Sequence, residues 1–425
     1  MILNSMTRNP IPSAAMCHHA EFPASSRLVA LAALAATAFL LTSCGGSSSS
    51  SPKNTIVTSG SNVQSIAVNA GPGGNYANGV FTTVTVCLPS SSTCQTIDGI
   101  LVDTGSYGLR LLSSSGGGAL TLSLPQQSNA SGNPIGECAP FVDSVTWGPV
   151  VTADIQISGE QASSVPTQVI DPTFAALPAD CQNFGVPEQD TLQTLGANGI
   201  LGIGPFLQDC GGACAGTGPN NPGLYYSCVT TTCQITPEAI AQQVANPVGS
   251  FTTDNNGVIV ELPAVTAPQV SIAGSLVFGI GTQSNNTVGS VSMFPINANA
   301  EFTTTYGGQA YAGFIDSGSN GLFFLDSATT SLPVCGDETD FYCPASTTNL
   351  SATDSSSGGA SETVNFTVDN ADALFSDQAA FVFPSLAGPN PGTFDWGLPF
   401  FFGRNVFTAI NGRSTPAGAG PYWAF

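Results

Sequence analysis

The sequence predicts a mostly β chain with short helices, arranged as two lobes about a pseudo-two-fold axis. Three observations carry this. Segments such as Thr82-Thr83-Val84-Thr85-Val86 and Val151-Thr152-Ala153-Asp154-Ile155-Gln156-Ile157 alternate or run β-branched, with Gly, Pro, Asn and Ser between them. Long amphipathic periodicities are hard to find, and the best helical stretch is Thr236 to Val244, with Pro237 placed for a first turn. A pattern of about ten residues occurs twice, once in each half of the chain.

Both copies of the repeat read apolar-apolar-Asp-[Thr/Ser]-Gly-Ser-x-Gly-Leu, from Leu101-Val102 to Gly108-Leu109 and from Phe314-Ile315 to Gly321-Leu322. They contain Asp103-Thr104-Gly105-Ser106 and Asp316-Ser317-Gly318-Ser319. An apolar strand can carry each Asp to the interface between lobes, where the two carboxylates would meet. The hydroxyl of Thr104 or Ser317 can then bond across to the opposite loop, and Gly105 and Gly318 let backbone amides approach a carboxylate. Ser106 and Ser319 are positioned for the outer oxygens of Asp103 and Asp316.

A length of 425 residues fits two lobes with adequate cores, which we place at 61–250 and 251–425. Within the second, Asn256-Gly257 between Ser250-Phe251 and Val258-Ile259-Val260 predicts a hairpin. Hydrophobic residues make up 42% and charged residues 8%, a globular composition. The formal charge of −21 becomes −22 if residues 1–43 are removed with Arg8, Arg27 and Glu21, and such a surface repels nucleic acid and anionic lipid. Beyond residue 44 the chain has no histidine, and Lys53 is its one lysine. That excludes Ser-His-Asp and Cys-His catalysis, imidazole-bound zinc, a phosphate-loop lysine and Schiff-base chemistry. Only Arg110, Arg404 and Arg413 remain as further cations, so carboxylates must supply any general acid and base.

Arg27 precedes an apolar stretch from Leu28 to Leu41 that runs into Leu41-Thr42-Ser43-Cys44-Gly45-Gly46. This resembles a bacterial lipoprotein signal peptide, which implies export, removal of residues 1–43 and Cys44 as the acylated anchor of an envelope protein. Met16 offers a start that leaves a more usual leader. The serine run and Pro52 then make residues 44–60 a flexible tether. Setting aside Cys17 and Cys44 leaves ten cysteines, an even number suited to disulfides in an oxidising compartment. Cys87 with Cys94, Cys335 with Cys343 and Cys138 with Cys181 are plausible pairs. Cys210, Cys214, Cys228 and Cys233 allow three pairings, and disulfides are favoured over a metal cluster because no histidine accompanies them.

From about residue 61 onward the chain resembles the pepsin-like aspartic peptidases. Six strings in that family's order carry the resemblance, beginning with the first Asp motif. Thr146-Trp147-Gly148 with Ala153 to Gly159 resembles the flap hairpin, and Asn198 to Gly204 the apolar-apolar-Gly element that closes the first lobe. Gly274 to Gly281 is similar to the opening of the second lobe, followed by Asp316 and by the closing element Trp396 to Phe407. The resemblance implies an endopeptidase in which Asp103 and Asp316 share one proton around a water, with no metal or organic cofactor and a peptide or protein as substrate. Trp147 stands where the flap usually carries Tyr, Asn198 stands where Asp is frequent, and residues 205–233 form an insertion. We expect a monomer held to the membrane by its lipid anchor. The alternative is a catalytically inactive peptide- or glycan-binding lipoprotein on the same scaffold. A glycoside hydrolase also uses two carboxylates, but only three tryptophans are available as sugar platforms.

Overall fold

The computed structural model of the chain describes residues 55–230, 232–336 and 338–425. The apolar stretch 28–41, Cys44 and the serine run lie outside the described residues. The chain is mostly β, as expected, with strands in barrel-like sheets and α-helices of four or five residues among the described residues. No helix among them is long and apolar enough to cross a membrane.

A fifteen-stranded sheet runs through both halves, and a seven-stranded sheet belongs to the second half alone. The junction is strand Val63–Asn69, which pairs antiparallel with Gly79–Cys87 on one edge and with Ile272–Phe278 on the other. Alternation sets which side chains go inward. In Val145–Ile157 the residues Ala153, Ile155 and Ile157 are buried, whereas Thr152, Asp154 and Gln156 are half-buried. In the second half the inward set is aromatic: Phe394 stacks on Phe324 at 4.9 Å and lies 4.6 Å from Trp396.

The two halves repeat one local topology. Strand Cys94–Asp103 runs parallel to Gly199–Ile203, which in turn pairs antiparallel with the return strand Tyr107–Leu112. Strand Gln309–Ile315 runs parallel to Asn390–Trp396, which pairs antiparallel with the return strand Leu322–Leu325. Each Asp therefore leaves a central strand at the same point of the same three-strand unit.

Three local expectations are corrected. The helix at 236–244 reduces to a single 3-10 turn, Ile240–Gln242, closed by Gln242 N–H to Ala239 C=O, while Glu238 N–H donates to Cys214 C=O and the Gln243 side-chain amide to Gly211 and Glu238 C=O. Asn256-Gly257 does not turn a hairpin. Its preceding residues 247–250 form a 3-10 turn, the Asn256 amide braces Ile280 and Ser414, and Gly257–Glu261 pairs with Ile272–Phe278 and Asn405–Ala409. The described end of the expected tether is docked rather than free, since Val57 N–H donates to Glu261 at 2.7 Å. The cysteines pair as 87–94, 138–181, 210–214, 228–233 and 335–343, which resolves the four that sequence left open.

Candidate active site

The two Asp loops meet and hold each other by a reciprocal latch. Thr104 N–H donates to Ser317 Oγ at 3.1 Å, and Ser317 N–H donates to Thr104 Oγ1 at 2.9 Å. Each hydroxyl spends its own proton on the strand behind the opposite loop, Thr104 on Ile315 C=O at 3.2 Å and Ser317 on Val102 C=O at 2.7 Å. Four hydrogen bonds thereby satisfy two amides, two hydroxyls and two carbonyls across the halves.

The latch sets the carboxyl groups of Asp103 and Asp316 within hydrogen-bonding reach of one another. Each inner oxygen accepts from the glycine amide two residues on, Gly105 N–H to Asp103 Oδ1 at 2.8 Å and Gly318 N–H to Asp316 Oδ1 at 2.7 Å. Each outer oxygen accepts from a serine, Ser106 to Asp103 and Ser319 to Asp316. Burial, and after it the Asp316 charge, push the Asp103 carboxyl up, so the pair retains a proton well above the ordinary carboxylate range. Asp103 is 6% exposed, while Gly105 beside it is exposed and Asp316 is half-buried. Gly105 and Asp316 thus leave the pair open to solvent on one side.

The roof differs from expectation. Trp147 is fully buried, packs against Phe174 and Tyr226 and donates its indole N–H to Ala175 C=O at 2.9 Å, so its side chain is not a lid. Gly148 is where it is because a Cβ there would lie 1.9 Å from Val169 C=O. The hairpin of Ile135–Pro140 and Val145–Ile157 instead presents its tip, residues 141–144, closed by Phe141 N–H to Ser144 C=O at 2.7 Å. Phe141 joins the apolar cluster that Tyr76 packs on, and Asp143 is close enough to act on the Tyr76 hydroxyl. Asn198 braces the first lobe by donating to Asp98 C=O and accepting from Ala119 N–H.

Sequence reasoning missed three neighbours of the pair. Tyr76 and Tyr107 both have hydroxyls held above their ordinary range by burial, and then by nearby carboxylates that include Asp103 and Asp316. Both are protonated donors at the rim. Asp395 is the third, 4% exposed, and its carboxyl is pushed well up by burial and by the Asp316 charge. The signal was one charged residue inside the apolar run Phe394 to Phe402.

Arg110 pairs with Glu137 at 2.7 Å and Asp209 at 3.4 Å, all three side chains buried, and its guanidinium lies over the Phe141 ring at 5.7 Å. The strand leaving the first Asp loop is thus tied to the hairpin through Glu137 and Phe141. A grouping with metal-like spacing, Cys335, Cys343 and Asp372, has its sulfurs joined in a disulfide and so lacks the thiolates a metal would need.

Geometry therefore defines a β protein of two matched halves with a paired-Asp centre between them. The chain belongs to the family described as "Protein of unknown function (DUF3443)", which matches residues 58–425. No curated protein matches it. Among solved structures it is similar to the aspartic proteinase from Irpex lacteus, at 16% identity and a TM-score of 0.49, covering 85% of this chain and 96% of that one.

Proposed function

We propose that this protein is an aspartic endopeptidase that hydrolyses peptide bonds through a water held between Asp103 and Asp316. The observation that carries this reading is the latched pair itself: two carboxyl groups within hydrogen-bonding reach, each fixed by one amide and one hydroxyl. Two such groups cannot both ionise cheaply, so one acts as base and the other as acid. The ionised carboxylate takes a proton from water as its oxygen adds to the scissile carbonyl carbon. The protonated partner donates to the carbonyl oxygen, giving a non-covalent tetrahedral diol. Collapse passes a proton to the leaving amine and restores the shared proton. Tyr76 and Tyr107 supply donors at the rim, and the hairpin tip 141–144 closes over the substrate.

We further propose that Cys44 carries the lipid that tethers the enzyme to the bacterial cell envelope. Purified full-length protein should cleave a denatured protein at acidic pH, and Asp103→Asn and Asp316→Asn should each lower the rate about 10²–10⁴-fold. Cleavage that survives either change rejects the reading, and binding of peptide or glycan without turnover would favour an inactive scaffold. Mass spectrometry of the N-terminal fragment tests the anchor.

A further inference from the structure

The matched halves differ at one position that faces the carboxyl pair. In the first half the parallel partner strand places Ile200 opposite Leu101, two residues before Asp103. In the second half the same register places Asp395 opposite Phe314, two residues before Asp316. The strand is locked there, because Asp316 N–H donates to Trp396 C=O at 3.1 Å and Leu398 N–H to Ser319 C=O at 2.8 Å. Phe394 and Trp396 are fully buried in the core, and alternation turns Asp395 to the opposite face.

Ser319 is the shared contact. Its hydroxyl donates to Asp316 Oδ2 at 2.7 Å, and the Asp395 carboxyl lies beside the same hydroxyl. A hydroxyl has one proton, and Ser319 has spent it on Asp316. A hydrogen bond between Asp395 and that oxygen would therefore need its proton from Asp395. Surroundings agree. The groups facing Asp395 are Asp316 and Asp103 from the two loops, Phe314 from one neighbouring strand and Phe323 from the other, and none is a cation. Its Oδ1 is buried and without a hydrogen-bond partner, a position that a charged oxygen could hold only at large cost.

We propose that Asp395 is a positioning residue of this site, present as a neutral carboxylic acid that donates to Ser319 and so, through the Ser319 to Asp316 bond, makes Asp316 the ionised member of the pair. The chain Asp395–Ser319–Asp316 has no counterpart around Asp103, where Ile200 fills the equivalent place. Asp316 is then the base that takes the proton from water, and Asp103 the acid that donates to the scissile carbonyl. Its kinetic consequence rests on the peptidase reading; the protonation of Asp395 does not.

Two substitutions separate the roles. Asp395→Ile installs the residue of the other half and removes the donor. It should move the acid limb of the kcat/KM profile upward on the order of one pH unit, because a lost hydrogen bond to a carboxylate makes it harder to ionise. Asp395→Asn keeps a donor to Ser319, and should recover most of the rate lost in Asp395→Ile and hold the limb near its wild-type position. A downward shift in either variant would mean that Asp395 is charged, and equal shifts in both would mean that it only packs; either result overturns the proposal. Infrared difference spectra of the wild type against Asp395→Asn at neutral pH need no activity. Loss of a protonated-carboxyl band supports the proposal, and loss of a carboxylate band defeats it. Should the wild type not cleave at all, the peptidase reading fails and the infrared result still decides the state of Asp395.

Discussion

Gly105 and Asp316 sit so close that a Cβ on Gly105 would lie 2.5 Å from the Asp316 carboxyl carbon, and a Cβ on Gly318 would lie 2.8 Å from that of Asp103. Each glycine is a seat for the carboxyl of the other half. Gly105→Ala should therefore force the pair apart and lower kcat/KM at least about 10²-fold, the scale lost when a catalytic geometry shifts by an ångström. Gly212, which has nothing within 4 Å of its would-be Cβ, provides the control. A Gly105→Ala enzyme as active as Gly212→Ala would show that this contact does not hold the pair.

The latch should show as coupling across the halves. Ser317→Ala leaves Val102 C=O and Thr104 N–H without their partner, and Thr104→Val does the same to Ile315 C=O and Ser317 N–H. Each should cost about 1–3 kcal/mol in urea unfolding. The double variant should lose less than the sum of the two, by roughly 0.5–3 kcal/mol, because the same network is broken twice. Strict additivity would mean that the two loops are held independently.

Acid should stabilise this fold. Burial pushes Glu261 up to about 7 from an ordinary 4.5, and Asp354 up to about 7 from 3.8. Asp103 is displaced the same way. Between those ordinary values and about 7 the folded chain holds protons that the unfolded chain has released, so stability is full below about 4 and falls as pH rises to neutrality. At about 1.4 kcal/mol per unit, Glu261 and Asp354 together are worth at most roughly 8 kcal/mol, less what solvent screening removes. Melting scans from pH 4 to 7.5 should show Tm falling, and a Tm that rises across that range would refute the argument.

The Arg110–Glu137–Asp209 cluster predicts a conditional defect. Arg110→Met strands two buried carboxyls and should destabilise by roughly 3–5 kcal/mol at neutral pH. Acid relieves the deficit by protonating Asp209, whose carboxyl burial and Glu137 already push well up. Denaturation of the variant at both pH values checks this, and an equal loss at each would assign Arg110 a packing role instead.

Much of this site was legible as text, and the reasons are local. Asp103, Thr104, Gly105 and Ser106, and their counterparts from Asp316, are contiguous, so their mutual geometry follows from one tight loop written twice. The alternating strands and the short-range disulfides were readable for the same reason. Failures came where distant partners decide. Trp147 reads as a flap residue, but the partners that bury it, Phe174, Ala175 and Tyr226, come from elsewhere in the chain. The segment 236–244 has helical spacing, yet its Glu238 N–H is drawn to Cys214 C=O, far back in the chain. Asp395 was hidden because only the parallel register with Phe314 brings it to Ser319.

Strand Val63–Asn69 has one neighbour from its own half and one, Ile272–Phe278, that follows about two hundred residues later in synthesis. While the ribosome is still making the intervening chain, six residues of strand edge stand open to any passing β-rich polypeptide. The nascent protein thus depends on its second half to seal the first, and fragments expressed separately should aggregate or find each other and reassemble along that seam.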